Sequence, residues 1–291
     1  MVQFEGIWVP MVTPFLDGQV DFASAARLAQ HLQLQGVDGL IISATTGEAA
    51  TLSTAEQHQL LDTVIAAVGP NYPIAFGISG NNTAEVVKAV QAVNNKPIAA
   101  LLISAPYYVR PSQQGILQHF NAIAAASQHP IMIYNIPYRT GVNIDPQTIK
   151  ALSTNPQFVA IKESASGNIE QIYQLINETP LKFLSGEDHL IFSCCCLGGH
   201  GAISAAAHIR PDLFKKMQQH IQAGNLAAAR KIDQQLRPLI KLLFVEPNPA
   251  PVKAVLAMQG LIHEELRLPM TAVSAATKAQ LALLLEEIMA I

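Results

Sequence analysis

Charge is what this chain has least of. Only 18 of its 291 residues are Lys or Arg and 21 are Asp or Glu, 13% in all, about half the share of an ordinary globular protein. The net charge is -3 and the basic residues never cluster. A nucleic-acid partner or an anionic membrane surface is therefore not expected. Cysteine is rarer still. The three present are consecutive, Cys194, Cys195 and Cys196, a spacing that suits neither a zinc site nor a disulfide framework and reads as buried thiols in a reducing compartment. The most apolar long stretch, Leu190 to Ala207, is broken by Gly198, Gly199, His200 and Gly201. It reads as a buried helix followed by a buried strand, not as a membrane span. The stretch 1–15 has no basic n-region and carries Glu5, Pro10 and Pro14, so no secretory signal is expected and the protein is placed in the cytoplasm. Several motifs are missing as well. There is no Walker A string and no Gly-x-Ser-x-Gly elbow, and His263-Glu264-Glu265 lacks the second His of a zinc helix. Neither a metal nor an organic cofactor is expected.

What remains is apolar substance: half of the chain is hydrophobic. That excludes disorder, fits one large core, and leaves part of the surface to be covered by copies of the same chain. Short apolar runs alternate with amphipathic helical patterns. The runs are Ile7–Val12, Val37–Ser43, Tyr72–Ile78, Ile98–Ser104, Pro130–Tyr134, Phe158–Lys162, Lys182–Ser185 and Gly201–Ser204. They are apolar on both faces, as parallel strands covered on each side must be. Helix starts are legible between them. Ser53 with Glu56 makes a capping box, Asn82 with Glu85 repeats it, and Asp145-Pro146 reads as N-cap and first helical residue. Phe22, Ala26, Ala29 and Leu32 recur at helical spacing, and Gly36 stops that helix. Eight strands in alternation with helices predict a (β/α)8 barrel. An open doubly wound sheet would want a Gly-rich turn after its first strand, where this chain has Thr13-Pro14-Phe15. Residues 1–210 are assigned to the barrel. Residues 211–291 are assigned to C-terminal helices, comprising the last barrel helix and an appended helical region.

Reacting groups of such barrels sit at the C-terminal strand ends, and two ends stand out. Phe158-Val159-Ala160-Ile161 closes on Lys162. Alternation puts Val159 and Ile161 on one face and aims Ala160 and Lys162 at the other, toward the barrel mouth. On the preceding run Met132 and Tyr134 share a face. Neighbouring strands lie about 4.8 Å apart, so Tyr134 and Lys162 can meet at one rim. A lysine of ordinary pKa, about 10.4, is neutral roughly one time in a thousand near pH 7. Desolvation lowers the pKa and frees the amine to attack a carbonyl and form a Schiff base. The competing reading is a Lys162 that snorkels or pairs with Glu163, and a Tyr134 that is a core tyrosine with a bonded hydroxyl. Ser43-Ala44-Thr45-Thr46-Gly47-Glu48 offers hydroxyls and backbone N–H groups to a carboxylate, or is an ordinary polar loop before the next helix. Arg139 supplies either a guanidinium fork for a second carboxylate or a surface salt bridge.

Taken together, these strings resemble the dihydrodipicolinate synthases, in the pyruvate-dependent class I aldolase superfamily that includes N-acetylneuraminate lyase. The resemblance runs from Gly6 to about Met270. It is carried in order by Thr45-Thr46-Gly47-Glu48, Pro106-Tyr107-Tyr108 with Arg110-Pro111-Ser112, Tyr134-Asn135-Ile136-Pro137, Ile161-Lys162-Glu163, Leu184-Ser185-Gly186-Glu187-Asp188, Gly198-Gly199-His200-Gly201 with Ile203-Ser204, and Phe244-Val245-Glu246-Pro247-Asn248-Pro249. It implies that Lys162 forms an imine with pyruvate and that Tyr134 moves the protons. It further implies that the derived enamine attacks aspartate semialdehyde, in diaminopimelate and lysine biosynthesis. No cofactor is implied beyond that covalent pyruvate–lysine imine. Thr46 and Tyr108 resemble the family's proton relay, with Tyr108 reaching in from a neighbouring subunit of a homotetramer built as a dimer of dimers. Thr45 and Thr46 correspond to the holders of the pyruvate carboxylate, and Gly186 and Ile203 to its backbone lining. Arg139 corresponds to the arginine that binds the semialdehyde carboxylate. Sialic-acid-type lyases, the sibling alternative, lack it. A catalytically silent ligand-binding paralogue would be expected to lack Lys162, Tyr134 or Thr46.

Lysine-inhibited members of the family bind lysine at a dimer interface near positions matching Ala49, Thr54, Gln57, Asn81, Glu85 and Tyr107. Asn81, Glu85 and Tyr107 fit that pattern, but Thr54 and Gln57 stand where inhibited enzymes carry histidines. Fewer polar partners predict weak or absent inhibition by lysine. Micromolar inhibition in a lysine titration would contradict that expectation.

Overall fold

The computed structural model describes residues 2–165 and 167–290; Met1 and Ile291, the outermost residues of the two assigned regions, lie outside them. Eight parallel strands form a closed barrel: β1 Gly6–Pro10, β2 Gly39–Ile42, β3 Ile74–Ile78, β4 Ala100–Ser104, β5 Ile131–Asn135, β6 Phe158–Glu163, β7 Lys182–Ser185 and β8 Gly201–Ile203. Each strand lies beside its neighbours in sequence, the order that right-handed βαβ crossovers generate. Every strand falls within the apolar run that predicted it, to within two residues at either end. Four longer helices follow the last strand, Pro211–Gln222, Leu226–Leu243, Ala250–Met258 and Ala275–Met289. No helix among the described residues is long and apolar enough to cross a membrane.

Packing divides the chain into two compact units. One joins the segment ending at Glu5 to Pro73–Ile203; the other joins Gly6–Tyr72 to the segment beginning at Ser204. In the first unit β3 to β8 pair in register, with Ala75 beside Ala100 and Leu102 beside Met132. Their side chains are buried on both faces, which is why these segments read as continuous apolar runs instead of alternating ones. In the second unit Trp8 lies fully buried against Gly39, where an added Cβ would come within 2.4 Å of the indole. A bulky aromatic on β1 therefore requires glycine at the start of β2.

Helix ends follow the predicted chemistry with informative exceptions. Gly36 adopts φ +78° after the helix Phe22–Leu34, and the amides of Gly36 and Val37 return to the carbonyls of Gln33 and Leu32. This double closure satisfies the helix's last carbonyls, and glycine adopts the left-handed position without a Cβ penalty. The buried face of that helix is Ala25, Leu28, Ala29 and Leu32, shifted from the expected Phe22 and Ala26. Ser53 and Glu56 form the full reciprocal box. Asn82 forms half of one: its side chain accepts from the Ala84 amide, while Glu85 turns outward to Lys88 at 2.8 Å. Asp145 is an N-cap by position, ahead of Pro146, but makes no side-chain cap bond. The cysteines divide as well. Cys194 and Cys195 are buried and their thiols are pushed up to about 11 and about 12 by burial, whereas Cys196 is exposed, because the short helix Ile191–Cys196 turns it off the buried face. One element was not foreseen. Beyond Pro14 the chain makes a two-stranded antiparallel ribbon, Phe15–Leu16 with Gln19–Val20, through Asp17-Gly18 at φ +51° and +76°, the left-handed pair that a two-residue hairpin needs.

The second unit is tied together by a buried charge. Lys253, on the helix Ala250–Met258, is fully buried, and its Nζ donates to Glu48 Oε1 and, at 2.8 Å, to the Glu265 carbonyl. The same ammonium sits 4.2 Å from the centre of the Phe15 ring. The other carboxylate oxygen, Glu48 Oε2, accepts from the Arg267 amide at 3.1 Å. The Arg267 guanidinium lies over the Phe15 ring at 4.6 Å and donates to Glu56 at 2.6 and 3.1 Å and to the Thr51 carbonyl at 3.0 Å. Glu48 ends the Thr45–Glu48 turn at φ +54°, so the ion pair anchors that turn to the C-terminal helices. Lys253→Met strands a carboxylate in the interior, and should cost about 3–5 kcal/mol. Replacing both partners, Lys253→Met with Glu48→Leu, should recover most of that loss in the guanidinium chloride midpoint. A double variant as unstable as the single one would contradict the assignment.

Candidate active site

The first unit brings Tyr134 and Lys162 together by strand register. The β5–β6 ladder shifts by one residue after Ile131, then pairs Met132 with Ala160, Tyr134 with Lys162 and Asn135 with Glu163. Tyr134 and Lys162 are each 5% exposed. The Lys162 ammonium lies 4.3 Å from the centre of the Tyr134 ring, a contact that an aromatic face favours. The next residue on each strand points to the opposite face. There Asn135 Nδ2 donates to both Glu163 oxygens at 3.0 and 3.2 Å and to Asn143 Oδ1 at 2.8 Å. The Ile144 amide donates to Asn135 Oδ1 at 3.0 Å. This clasp pins the two strand ends whose other faces carry the phenol and the amine. The same burial holds the Glu163 carboxyl up at about 7, against its bonds to Asn135 and Gln171.

Burial sets the electrostatics at Lys162. Its amine is pulled down to about 8, chiefly by loss of water and secondarily by the Arg139 cation, while Asp188 and Glu187 oppose the shift. Part of the enclosure is Gly186, at the end of β7. A Cβ there would lie 3.0 Å from Lys162 Cγ and Cε and 2.1 Å from Ser164 Oγ, so only glycine lets the backbone approach the lysine stem. Ser164 Oγ is buried and makes no hydrogen bond. Ile203 closes β8 and is 1% exposed. Arg139 lies on the short helical turn Pro137–Thr140 directly after β5; it is exposed and stacks over Tyr138 at 5.2 Å.

Tyr107 and Tyr108 stand on the loop after β4, 42% and 86% exposed. Tyr108 takes φ +71° and donates its amide to the Thr140 carbonyl at 3.1 Å. The left-handed region is costly for an aromatic residue, so this display is held by its surroundings, not by local preference. Asn81 and Glu85 are exposed.

In the second unit, the Thr45–Glu48 turn follows β2 through Ser43 at φ +61°. Two of the backbone amides proposed to cradle an anion are used within the turn. Gly47 donates to the Ala44 carbonyl and Glu48 to the Thr45 carbonyl, both at 3.0 Å. Thr13 Oγ1 donates to the Gly47 carbonyl at 2.6 Å. Thr45 is exposed and Thr46 is buried. Asn248 Nδ2 donates to Thr46 Oγ1 at 3.0 Å, which occupies a lone pair of that hydroxyl and turns its proton elsewhere. Gln57 donates to the Ala49 carbonyl at 3.0 Å, so its amide is spent on the turn. Thr54 is exposed.

Four residues were not singled out as functional from sequence: Asn248, Glu187, Ser164 and Lys253. Asn248 sits between two prolines in Pro247-Asn248-Pro249, and that constraint was its one readable signal. Among the described residues no group of three or more His, Cys, Asp or Glu is arranged to hold a metal. The chemistry on display is a desolvated primary amine beside a phenol, with a cation and two carboxylates in its field. Such an amine adds to carbonyl carbon.

Residues 3–288 match the Dihydrodipicolinate synthetase family. The 4-hydroxy-tetrahydrodipicolinate synthase of Cyanothece sp. is 42% identical over 292 residues, covering 99% of each chain. That of Bacillus subtilis is 39% identical over 273 residues, covering 92% of this chain and 94% of that one. Among solved structures, the dihydrodipicolinate synthase of Thermotoga maritima superposes with a TM-score of 0.95 at 35% identity over 99% of both chains. The enzyme from Cyanidioschyzon merolae with lysine bound does so at 0.95 and 36% identity, also over 99% of both. With nearly its whole length matched in sequence and in fold, the chain belongs to the dihydrodipicolinate synthetase family.

Proposed function

We propose that this protein condenses pyruvate with L-aspartate 4-semialdehyde to give 4-hydroxy-tetrahydrodipicolinate, in diaminopimelate and lysine biosynthesis. The observation that carries the reading is the Lys162 amine, buried and lowered to about 8, in register with Tyr134. Lys162 Nζ adds to the keto carbon of pyruvate and water leaves, forming the imine. A methyl proton is lost to give the enamine. The enamine carbon then attacks the aldehyde, forming the new carbon–carbon bond. Finally the substrate amine attacks the imine carbon and displaces Lys162. Tyr134 moves protons in these steps, and no cofactor enters beyond the covalent imine.

Thr45 and Thr46 hold the pyruvate carboxylate, with Gly186 and Ile203 lining its site. Thr46 and Tyr108 relay protons. In this reading the Asn248 amide donating to Thr46 at 3.0 Å keeps the threonine proton available for the relay. Arg139 takes the carboxylate of the incoming semialdehyde; a charge-assisted bidentate contact of this kind is the usual way to select a carboxylate partner over a sugar. Tyr108, 86% exposed and held at φ +71°, reaches the site of a second copy in a homotetramer of paired dimers, in the cytoplasm. Residues 1–210 carry the chemistry and 211–291 brace it. Asn81, Glu85 and Tyr107 belong to a regulatory surface that Thr54 and Gln57 leave short of polar partners.

Borohydride reduction in the presence of pyruvate, followed by peptide mass spectrometry, should place one adduct on Lys162. Lys162→Ala should give none. Tyr134→Phe should retain the adduct while turnover falls roughly 10²–10⁴-fold, the usual cost of lost acid–base catalysis. An adduct on another peptide, or near-normal turnover in either variant, would overturn the assignment.

A further inference from the structure

Directly after the glycine that walls Lys162, Glu187 is a carboxylate left over once the proposed steps are assigned. Its Oε1 is buried and has no hydrogen-bond partner, and Oε2 has His189 Nδ1 at 3.7 Å, beyond hydrogen-bonding reach. The backbone is fixed by the Ser185 hydroxyl, which donates to the Glu187 carbonyl at 3.0 Å. The side chain stands in the field of Lys162, Arg139, Asp188 and Tyr138. A buried carboxylate oxygen without a donor is costly, and it is retained here beside a cation that does not bond it. The two charges offered at this rim, the Arg139 guanidinium and the Glu187 carboxylate, complement an amino acid zwitterion: carboxylate to arginine, ammonium to glutamate.

We infer that Glu187 is an ammonium-binding subsite, which takes the α-amino group of an amino-acid aldehyde while Arg139 takes its carboxylate. The inference rests on the proposed condensation and names the part of the second substrate that selects it. An ammonium brings three donors, enough to satisfy Oε1. Burial and Asp188 now push the Glu187 carboxyl up to about 7, and a bound cation would reverse that penalty. The subsite distinguishes aspartate semialdehyde from the same four-carbon aldehyde acid without the amine, succinate semialdehyde.

The test compares those two aldehydes in the wild-type protein and in Glu187→Gln, which keeps the shape and removes the charge. The expected result is a wild-type preference for the amine-bearing aldehyde in kcat/KM. In the variant that preference should shrink by about tenfold or more, the range for a lost charge-assisted hydrogen bond, and mainly through KM. Borohydride trapping of pyruvate, a step before the aldehyde arrives, reports whether the variant's lysine is still in place. A preference unchanged in Glu187→Gln, or rates falling equally with both aldehydes, would overturn the subsite. If Glu187→Gln fails to fold or to trap pyruvate, Glu187→Asp carries the same comparison: a partial loss of preference supports the subsite and an unchanged one refutes it. Pyruvate trapping with neither aldehyde consumed by the wild-type protein would instead overturn the condensation, and the subsite with it.

Discussion

Keeping water away from one amine is the constraint on which the rest of this site depends. At an ordinary pKa of about 10.4 a lysine is almost wholly protonated near neutrality. At about 8, roughly one molecule in ten carries the nucleophile at pH 7, a gain of more than two orders of magnitude before any chemistry begins. The dryness is built by the fold: an interior-facing position at the end of β6, the Tyr134 ring against the ammonium, and Gly186 letting backbone press on the lysine stem. The Asn135–Glu163 clasp on the other face of the same strand ends keeps that geometry from slipping.

The protein buries a second lysine, and the comparison is instructive. Lys253 is as inaccessible as Lys162 and is also lowered to about 8 by burial, yet its Nζ is bonded to Glu48 and to a backbone carbonyl. Its charge is matched and tied, so it serves as an anchor for the Thr45–Glu48 turn. The carboxylates in the field of Lys162, Asp188 and Glu187, act on it electrostatically; the structure shows no ion pair between them and its amine. Burial alone therefore does not make a nucleophile: the distinction lies in whether the ammonium is supplied with acceptors.

Much of this was readable from the chain. Strands covered on both faces announce themselves as apolar runs, and alternation along Ile131–Asn135 and Phe158–Glu163 put Tyr134 and Lys162 on matching faces, as the register confirms. What stayed hidden was set by distant partners. Lys253 and Glu48 are 205 positions apart, and Asn248 and Thr46 are 202 apart, so neither bond leaves a local trace. The Asp17-Gly18 hairpin was a local signal passed over because the strands it joins are only two residues long. Cys196 was assigned to the interior with its neighbours, although a helix rotates consecutive residues by about 100° and rarely buries three in a row. Glu187 looked like one more acid in a polar loop; only its burial, with an oxygen left unbonded, set it apart.

The most direct test of the account is the pH dependence of imine formation itself, followed by rapid reductive quenching of the wild-type protein with pyruvate. The rate should rise with pH as a single proton leaves the amine, and level off above about 8. A rate that goes on rising until about 10.4, the titration of an ordinary exposed lysine, would contradict the claim that the fold holds this amine out of water.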